Sequence, residues 1–469
     1  MEQQRLTRQQ REERQQRRFR NRILSLKSGL FFGFLFAMSL IGLLWFARPS
    51  TSMVEKRELT RFPKLTWSGF WDGSWFSGID TWYADTYPLR EMLISMDSNL
   101  EGLYGIRSEQ LVGGGTQVAE EIPEGSVDLE ALAAQTEPTE APPETTEEIE
   151  GKGDAVTPAE TAGTVYITEN CAYGVFYFTQ RTSAKYCLMV NNLAEKCKGR
   201  ANVYDLVVPT STGIMLSPEV REGIGCSDEN EAMEWMYAQM STDVKTVPVY
   251  HALKKHNDEY IYFHTDHHWT ALGAYYGYRE FCAVKGITPH ELSMFETMEF
   301  SDFKGTYYYS SNQSPELENN LDTITAYIPK GTNLMTAQMA NGDGTYTEYQ
   351  WPLVNDVSAY DKSQLYSCFA CGDQPYNYAH NKEVKDGSSV LIVKDSYGNS
   401  LIPFLVDHYE HIYWIDYRYY SEYCDFAGIS SYAISSLVKE KNINDVLVIN
   451  SISSTSAGNF FTEMEQMYQ

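Results

Sequence analysis

Apolar and polar positions along this chain fall into four kinds of stretch. From Gly29 to Ala47 the sequence GLFFGFLFAMSLIGLLWFA runs about 19 residues without a charge. That is long enough for one helix to cross a hydrocarbon core of roughly 30 Å. Between 48 and 112, Trp67, Trp71, Trp75 and Trp82 recur close to helical spacing, as a single apolar helix face does. This aromatic-rich segment is predicted to pack on a main domain, with a stacking platform for sugar rings as the alternative. From 113 to 163 the pattern dissolves into Glu, Thr, Pro, Ala and Gly. Such a stretch buries too little apolar surface to offset its chain entropy, so it is expected to be a disordered acidic insertion.

From 164 to 469, apolar strands alternate with helical patterns. Tyr204 to Pro209 reads as a buried strand, and Ala271, Tyr275, Tyr278 and Cys282 mark one face of a helix. Three short apolar runs follow: Ser389 to Val393, His411 to Ile415 and Asp445 to Ile449. Helical-looking connections at 400–409 and 430–441 separate them. Strand-helix-strand-helix-strand predicts an α/β fold with a mainly parallel sheet covered on both faces. Sites in such sheets form beyond the carboxyl ends of the strands. The Tyr/Asn/Gly-rich region 290–385 reads as irregular with some antiparallel strands.

Charge refines this picture. Residues 1–28 carry Arg5, Arg8, Arg11, Arg14, Arg17, Arg18, Arg20, Arg22 and Lys27, a basic tail that favours the cytoplasmic side and sends everything after Arg48 outside. The apolar run ends in Trp45-Phe46-Ala47-Arg48-Pro49 without a convincing small-residue cleavage site. It therefore reads as a transmembrane signal-anchor rather than a removed signal peptide. Beside such a span, basic residues act as a topology signal with affinity for anionic lipid, not as a nucleic-acid arm. The formal net charge of -26 understates how acidic the exported part is, which argues against nucleic acid as a partner. Eight cysteines are present, and their connectivity cannot be read from spacing. Cys368-Phe-Ala-Cys371 has no second pair to complete a zinc site, so a structural pair or free thiols are expected there.

The densest chemistry lies in Thr265-Asp266-His267-His268-Trp269-Thr270. An extended chain puts residues two apart on the same side, so Asp266 can orient His268 while His267 points away. Past the three strand ends lie Ser396 with Gly398 and Asn399, then Arg418, then Asn450. A serine at a strand-to-helix turn can use backbone N–H groups and the helix dipole to stabilise an oxyanion. It needs a base for its proton, and the base needs a carboxylate. Asp266, His268 and Ser396 are the candidate catalytic set. Gly398, Asn399, Arg418, Asn450 and Trp269 are candidates for oxyanion or substrate binding. Asp395 and Ser396 are also favoured helix caps, and a metal bound by His264, Asp266, His267 and His268 is the rival reading of the cluster. No metal and no cofactor is expected.

TDHHWTALGAYYGY closely resembles the signature of the DHHW family, bacterial cell-surface proteins related to the SGNH-like domains of alginate O-acetylation proteins. Arg57-Glu-Leu-Thr-Arg-Phe-Pro63, Asp85-Thr-Tyr-Pro-Leu-Arg90, Val207-Val-Pro-Thr210 and Val393-Lys-Asp-Ser-Tyr-Gly-Asn399 are similar too. The resemblance implies an SGNH-hydrolase-like three-layer domain over 164–469. In the alginate relatives an Asp-x-His-Trp motif supplies acid and base and a later serine is the nucleophile, which implies Asp266, His268 and Ser396. Ordinary SGNH hydrolases place the serine first; here the order is reversed, as in the alginate relatives. Their glycine and asparagine oxyanion blocks do not align clearly, which leaves Asn450 a positional assignment.

Together these expectations describe a single-pass, membrane-anchored extracellular O-acyltransferase that acetylates a cell-surface or secreted polysaccharide. The resemblance also implies a multi-pass membrane O-acyltransferase partner supplying the acyl group. The alternatives are an esterase using the same triad, or a non-catalytic glycan-binding scaffold.

Overall fold

A computed structural model of the chain describes residues 51–52, 57–88, 110–112, 119–134, 164–456 and 461–468, with positions 27, 29, 31–33, 36, 39, 42 and 48. The chain divides into two compact units, Met1–Met96 and Asp97–Gln469. Most of the predicted span 29–47 and nearly all of the basic tail lie outside the described residues. The span's described positions are helical, and among the described residues no helix is long and apolar enough to cross a membrane.

In the first unit β1 (Thr51–Ser52) and β2 (Arg57–Glu58) pair antiparallel. Helices Trp67–Asp72 and Ser74–Asp85 follow, as the tryptophan spacing predicts. The rings pack largely on one another, Phe62 edge-on to Trp82 at 4.8 Å and Trp75 edge-on to Phe76 at 5.1 Å. Asp85 accepts hydrogen bonds from the N–H and hydroxyl of Thr60, at 2.7 and 2.9 Å. That closes the unit on itself.

The second unit begins with a small antiparallel sheet of β3 (Gln110–Val112), β4 (Val165–Thr168) and β5 (Cys171–Gly174). The last residues of the predicted segment 48–112 thus belong to this unit. Inside the acidic stretch, residues 119–134 hold a defined place. Ile122, Val127, Leu129 and Leu132 pack on the core, Val127 N–H donates to Gln239 Oε1 at 3.3 Å, and Gln180 N–H donates to Glu120 Oε2 at 2.7 Å. The disorder expected of 113–163 does not extend to them, because a few well-spaced apolar side chains dock a segment that composition alone marks as unstructured. Residues 113–118 and 135–163 lie outside the described residues.

The remaining strands are β6 (Asn202–Val208), β7 (Val244–Thr246), β8 (Glu296–Phe303), β9 (Asp322–Ile328), β10 (Leu334–Ala340), β11 (Tyr346–Pro352), β12 (Tyr376–His380), β13 (Ser389–Lys394), β14 (His411–Asp416) and β15 (Asp445–Ser451). Strands β8 and β9 form a separate antiparallel pair. The other eight make one sheet in the order β11-β10-β12-β14-β13-β15-β6-β7. From β14 to β7 it is parallel; β12, β10 and β11 extend it antiparallel. The sheet is therefore mixed rather than mainly parallel. β13 and β15 are buried along their whole length, whereas β12 alternates buried and half-buried positions. A one-sided pattern of that kind suits antiparallel strands.

Helices Gln180–Cys197, Ala271–Lys285 and Ile434–Lys441 bury their apolar faces in the same core as the sheet. After β13 comes a 3-10 turn, Ser396–Ser400, and then a short helix, Ile402–Leu405, with Pro403 in its first turn. All eight cysteines are free thiols.

Candidate active site

The histidine loop is held before any chemistry is considered. An isolated bridge between Tyr262 and Trp269 closes it. Buried Asp322 accepts from the backbone N–H of His264 (2.7 Å) and of Thr265 (2.8 Å), and from the Thr265 hydroxyl (2.5 Å). Thr270 caps the helix Ala271–Lys285, its Oγ1 accepting from Gly273 N–H at 3.3 Å. The Trp269 indole is fully buried and donates to the carbonyl of Tyr397 at 3.0 Å. A Cβ at Gly277 would sit 2.8 Å from that indole, so a glycine is required where the helix passes it.

The serine is presented by the end of β13. Asp395 caps the 3-10 turn through Tyr397 N–H (3.0 Å), and its other oxygen accepts from Ser451 N–H (2.7 Å) and the Ser454 hydroxyl (2.8 Å). The capping role read from sequence thus belongs to Asp395, which also ties β13 to the end of β15.

The two halves meet. His268 Nε2 lies 2.8 Å from Ser396 Oγ, and His268 Nδ1 lies 2.5 Å from Asp266 Oδ1. Asp266 also accepts from His268 N–H at 3.0 Å and, through Oδ2, from Thr306 N–H at 2.7 Å. All three side chains are buried, Ser396 being 4% exposed. Burial raises the Asp266 carboxyl, but the His267 and His268 charges, the His268 hydrogen bond and Thr306 N–H outweigh it and hold the pKa well below the usual carboxylate range. An ionised carboxylate at Nδ1 keeps the ring proton there and leaves the Nε2 lone pair facing the serine hydroxyl.

His267 stands aside, its Nδ1 3.6 Å from Asp266 Oδ1 and its ring near Tyr307 and Tyr397. Ligand atoms of Asp266, His267 and His268 do lie within 4.8 Å of one another. Asp266 and His268 already hydrogen-bond each other, and His268 Nε2 meets the serine hydroxyl.

The remaining sequence candidates have other partners. Trp269 is a buried tie between the two loops rather than a substrate contact. Gly398 N–H donates to the Asp395 carbonyl at 3.1 Å, and a Cβ there would meet Lys394 Cβ at 2.7 Å, so this residue packs on β13. Asn450 lies on β15, the immediate neighbour of β13 and not two strands away as chain order suggests; its Nδ2 donates to the Tyr186 hydroxyl at 3.3 Å. Asn399 donates to Asp373 at 2.8 Å. Arg418 pairs with Asp416 (2.8 Å) and Asp373 (3.0 Å), and buried Lys394 pairs with Asp416 at 2.9 Å. Asn399 and Arg418 thus join a charge network beneath the serine turn.

Three residues escaped sequence reasoning. Tyr366 stacks on the His268 ring (centroids 4.0 Å apart, planes 13° apart), and its hydroxyl donates to the Ser396 carbonyl at 3.2 Å. Gly305 backs onto Asp266, where a Cβ would lie 2.2 Å from the Asp266 Cβ. Asp373 anchors the network. None sits in a spaced motif, and only the fold brings them in.

The fold is thus an α/β sheet that brings Asp266, His268 and Ser396 into hydrogen-bond contact beyond the carboxyl end of a central strand. More particularly, a family model described as DHHW protein matches residues 55–137 and 133–415, and the chain belongs to that family. It is similar to the crystal structure of a DHHW family protein from Eubacterium siraeum, at 27% identity over 69% of this chain and 98% of that one, with a TM-score of 0.55. It is also similar to Bacillus cereus PatB1, at 20% identity over 63% of this chain and 98% of that one, TM-score 0.52. PatB1 with a sulfonyl adduct matches at 18% identity over the same shares, TM-score 0.51. No curated protein matches the chain.

Proposed function

We propose that this protein is an extracellular O-acyltransferase, held to the membrane by residues 29–47, that transfers acetyl groups to a polysaccharide through an SGNH-like three-layer domain. One observation carries the reading: the unbroken line Asp266–His268–Ser396, with contacts of 2.5 and 2.8 Å. Ser396 Oγ attacks the acyl carbonyl and gives its proton to His268 Nε2. The donor's leaving group takes that proton as the acyl-serine ester forms. A glycan hydroxyl then attacks the ester, loses its proton to His268, and the proton returns to Ser396 Oγ as the C–O bond breaks. Asp266 stays ionised and stabilises the imidazolium in both halves. The apolar run and the arginine-rich tail support an anchored chain with its C-terminal domain outside. In this scheme a multi-pass membrane acyltransferase supplies the acyl group.

The test uses the full chain in detergent. Incubation with an aryl sulfonyl fluoride, with the adduct located by mass spectrometry, is expected to modify Ser396 in the wild type and not in His268→Ala. The sulfonyl adduct of PatB1 supports this choice of probe. Supplying p-nitrophenyl acetate with an oligosaccharide then separates transfer from hydrolysis: acetylated sugar supports the transferase, and free acetate alone supports an esterase. An unmodified Ser396, or labelling that survives His268→Ala unchanged, overturns both enzyme readings and leaves the glycan-binding scaffold.

A further inference from the structure

We propose a second site, at the opposite end of the sheet from Ser396: a divalent transition-metal site formed by His380, Glu410 and His411. His380 closes β12 and His411 opens β14, and the two are direct partners in the antiparallel register. Their rings stack with centroids 4.9 Å apart. Glu410 Oε1 lies 3.8 Å from His380 Nε2 and 3.8 Å from His411 Nε2, and ligand atoms of all three residues lie within 4.8 Å of one another. Around tetrahedral zinc, metal–ligand bonds of about 2.0–2.1 Å put neighbouring ligand atoms roughly 3.3 Å apart. A small side-chain rotation closes the triangle and leaves the fourth position for water.

The surroundings are arranged as second partners of metal ligands are. The Tyr378 hydroxyl lies 2.8 Å from His411 Nδ1; with its oxygen accepting from Nδ1–H, the Nε2 lone pair is directed at Glu410. Glu410 Oε2 accepts from Gly387 N–H at 2.7 Å, which leaves Oε1 for the ion. The Glu410 backbone is clamped on both sides, its carbonyl accepting from Asn381 N–H (2.9 Å) and its N–H donating to Ser388 Oγ (3.2 Å). The three side chains are 38%, 21% and 34% exposed, so an ion can reach them with its water. Two imidazoles and one carboxylate suit zinc and its neighbours in the first transition row better than calcium or magnesium, which prefer all-oxygen sets.

The site lies at the amino end of β14, while Ser396 follows the carboxyl end of the parallel β13. One strand of six residues separates the two ends, roughly 17–20 Å. The ion therefore takes no part in serine chemistry. It joins β12 to β14 at the seam between the antiparallel extension and the parallel sheet, and it stabilises the native chain by binding it selectively.

The experiment is titration of the chelator-stripped full chain with ZnCl2, read by competition with a chromogenic chelator and by thermal melting. The expected result is one tight zinc per chain and a melting temperature that climbs with the logarithm of zinc concentration. Tyr378→Phe is expected to weaken binding by about tenfold or more. His380→Ala and Glu410→Gln should each abolish the tight site, while His267→Ala leaves it intact. If His380→Ala fails to fold by circular dichroism, Glu410→Gln carries the test alone. No tight zinc in the wild type, unchanged affinity in Glu410→Gln, or loss of the zinc in His267→Ala overturns the proposal.

Discussion

Replacing Asp266 by asparagine asks the most of the relay, because an amide can accept on one side only. Asp266 Oδ2 accepts from the backbone N–H of Thr306 at 2.7 Å. Asp266→Asn has one amide oxygen for two buried backbone donors, Thr306 N–H on one side and His268 N–H on the other, and the tautomer inverts in the rotamer that turns the oxygen to Thr306. The NH2 group then replaces Oδ1, facing His268 Nδ1 and the His268 backbone N–H. To accept from the amide, Nδ1 must give up its hydrogen, and the ring proton moves to Nε2. There it points at Ser396 Oγ, 2.8 Å away, and the base can no longer accept the serine proton. Inverting the tautomer of such a relay costs about 10⁴-fold in rate, or about 5.5 kcal/mol of transition-state stabilisation. The assay is the second-order rate of sulfonyl fluoride labelling at Ser396 and of acetyl release from p-nitrophenyl acetate, with circular dichroism confirming the fold. A folded Asp266→Asn protein that reacts within about threefold of the wild type would refute the tautomer argument.

Other perturbations test the framework. Gly305→Ala forces a methyl against the Asp266 backbone; overpacking of this kind costs about 1–3 kcal/mol, so a lowered melting temperature should accompany slowed labelling. Tyr366→Ala removes the ring stacked on His268 and should slow labelling by about tenfold, a loss of about 1.4 kcal/mol, whereas Tyr366→Phe keeps the ring and should stay close to wild type. Burial pushes Asp205 up to about 7 and Glu229 up to about 7, against roughly 4 in an unfolded chain. The folded state thus binds more protons between those values, so the stability these groups contribute is full below pH 4 and is lost as pH rises to 7. Melting temperature followed across that window should fall less steeply in Asp205→Asn than in wild type; an unchanged slope counts against the assignment.

Much of the site was legible because its signals are local. Asp266 and His268 sit two apart in one loop, and Ser396 follows an unbroken apolar run, so alternation and strand-end placement find them without a fold. The same logic located β6, β13, β14 and β15 to within two residues. It stopped where partners are set by pairing across the sheet. Asn450 looked available to the serine because chain order says nothing about which hydroxyl, here that of Tyr186, will claim its amide. Arg418 looked like a substrate contact because Asp373, its partner, comes from a stretch with no readable period. Residues 119–134 were hidden by composition, which averages over the few apolar side chains that dock them. In the antiparallel strands β10 to β12 the apolar pattern is diluted by threonine, glutamine and tyrosine at half-buried and exposed positions.

The base and the nucleophile stand 128 residues apart in the chain, and the Trp269–Tyr397 bond spans the same separation. Closing a loop of that length costs roughly 4 kcal/mol in chain entropy, which no single hydrogen bond repays. Only the whole sheet, with β13 inserted between β14 and β15, brings the ends together. As the chain emerges from its amino end, His268 arrives first and waits for a strand not yet made. The contact between His268 and Ser396 therefore needs the whole sheet, and under the proposed mechanism an unfolded chain would carry all three side chains without their chemistry.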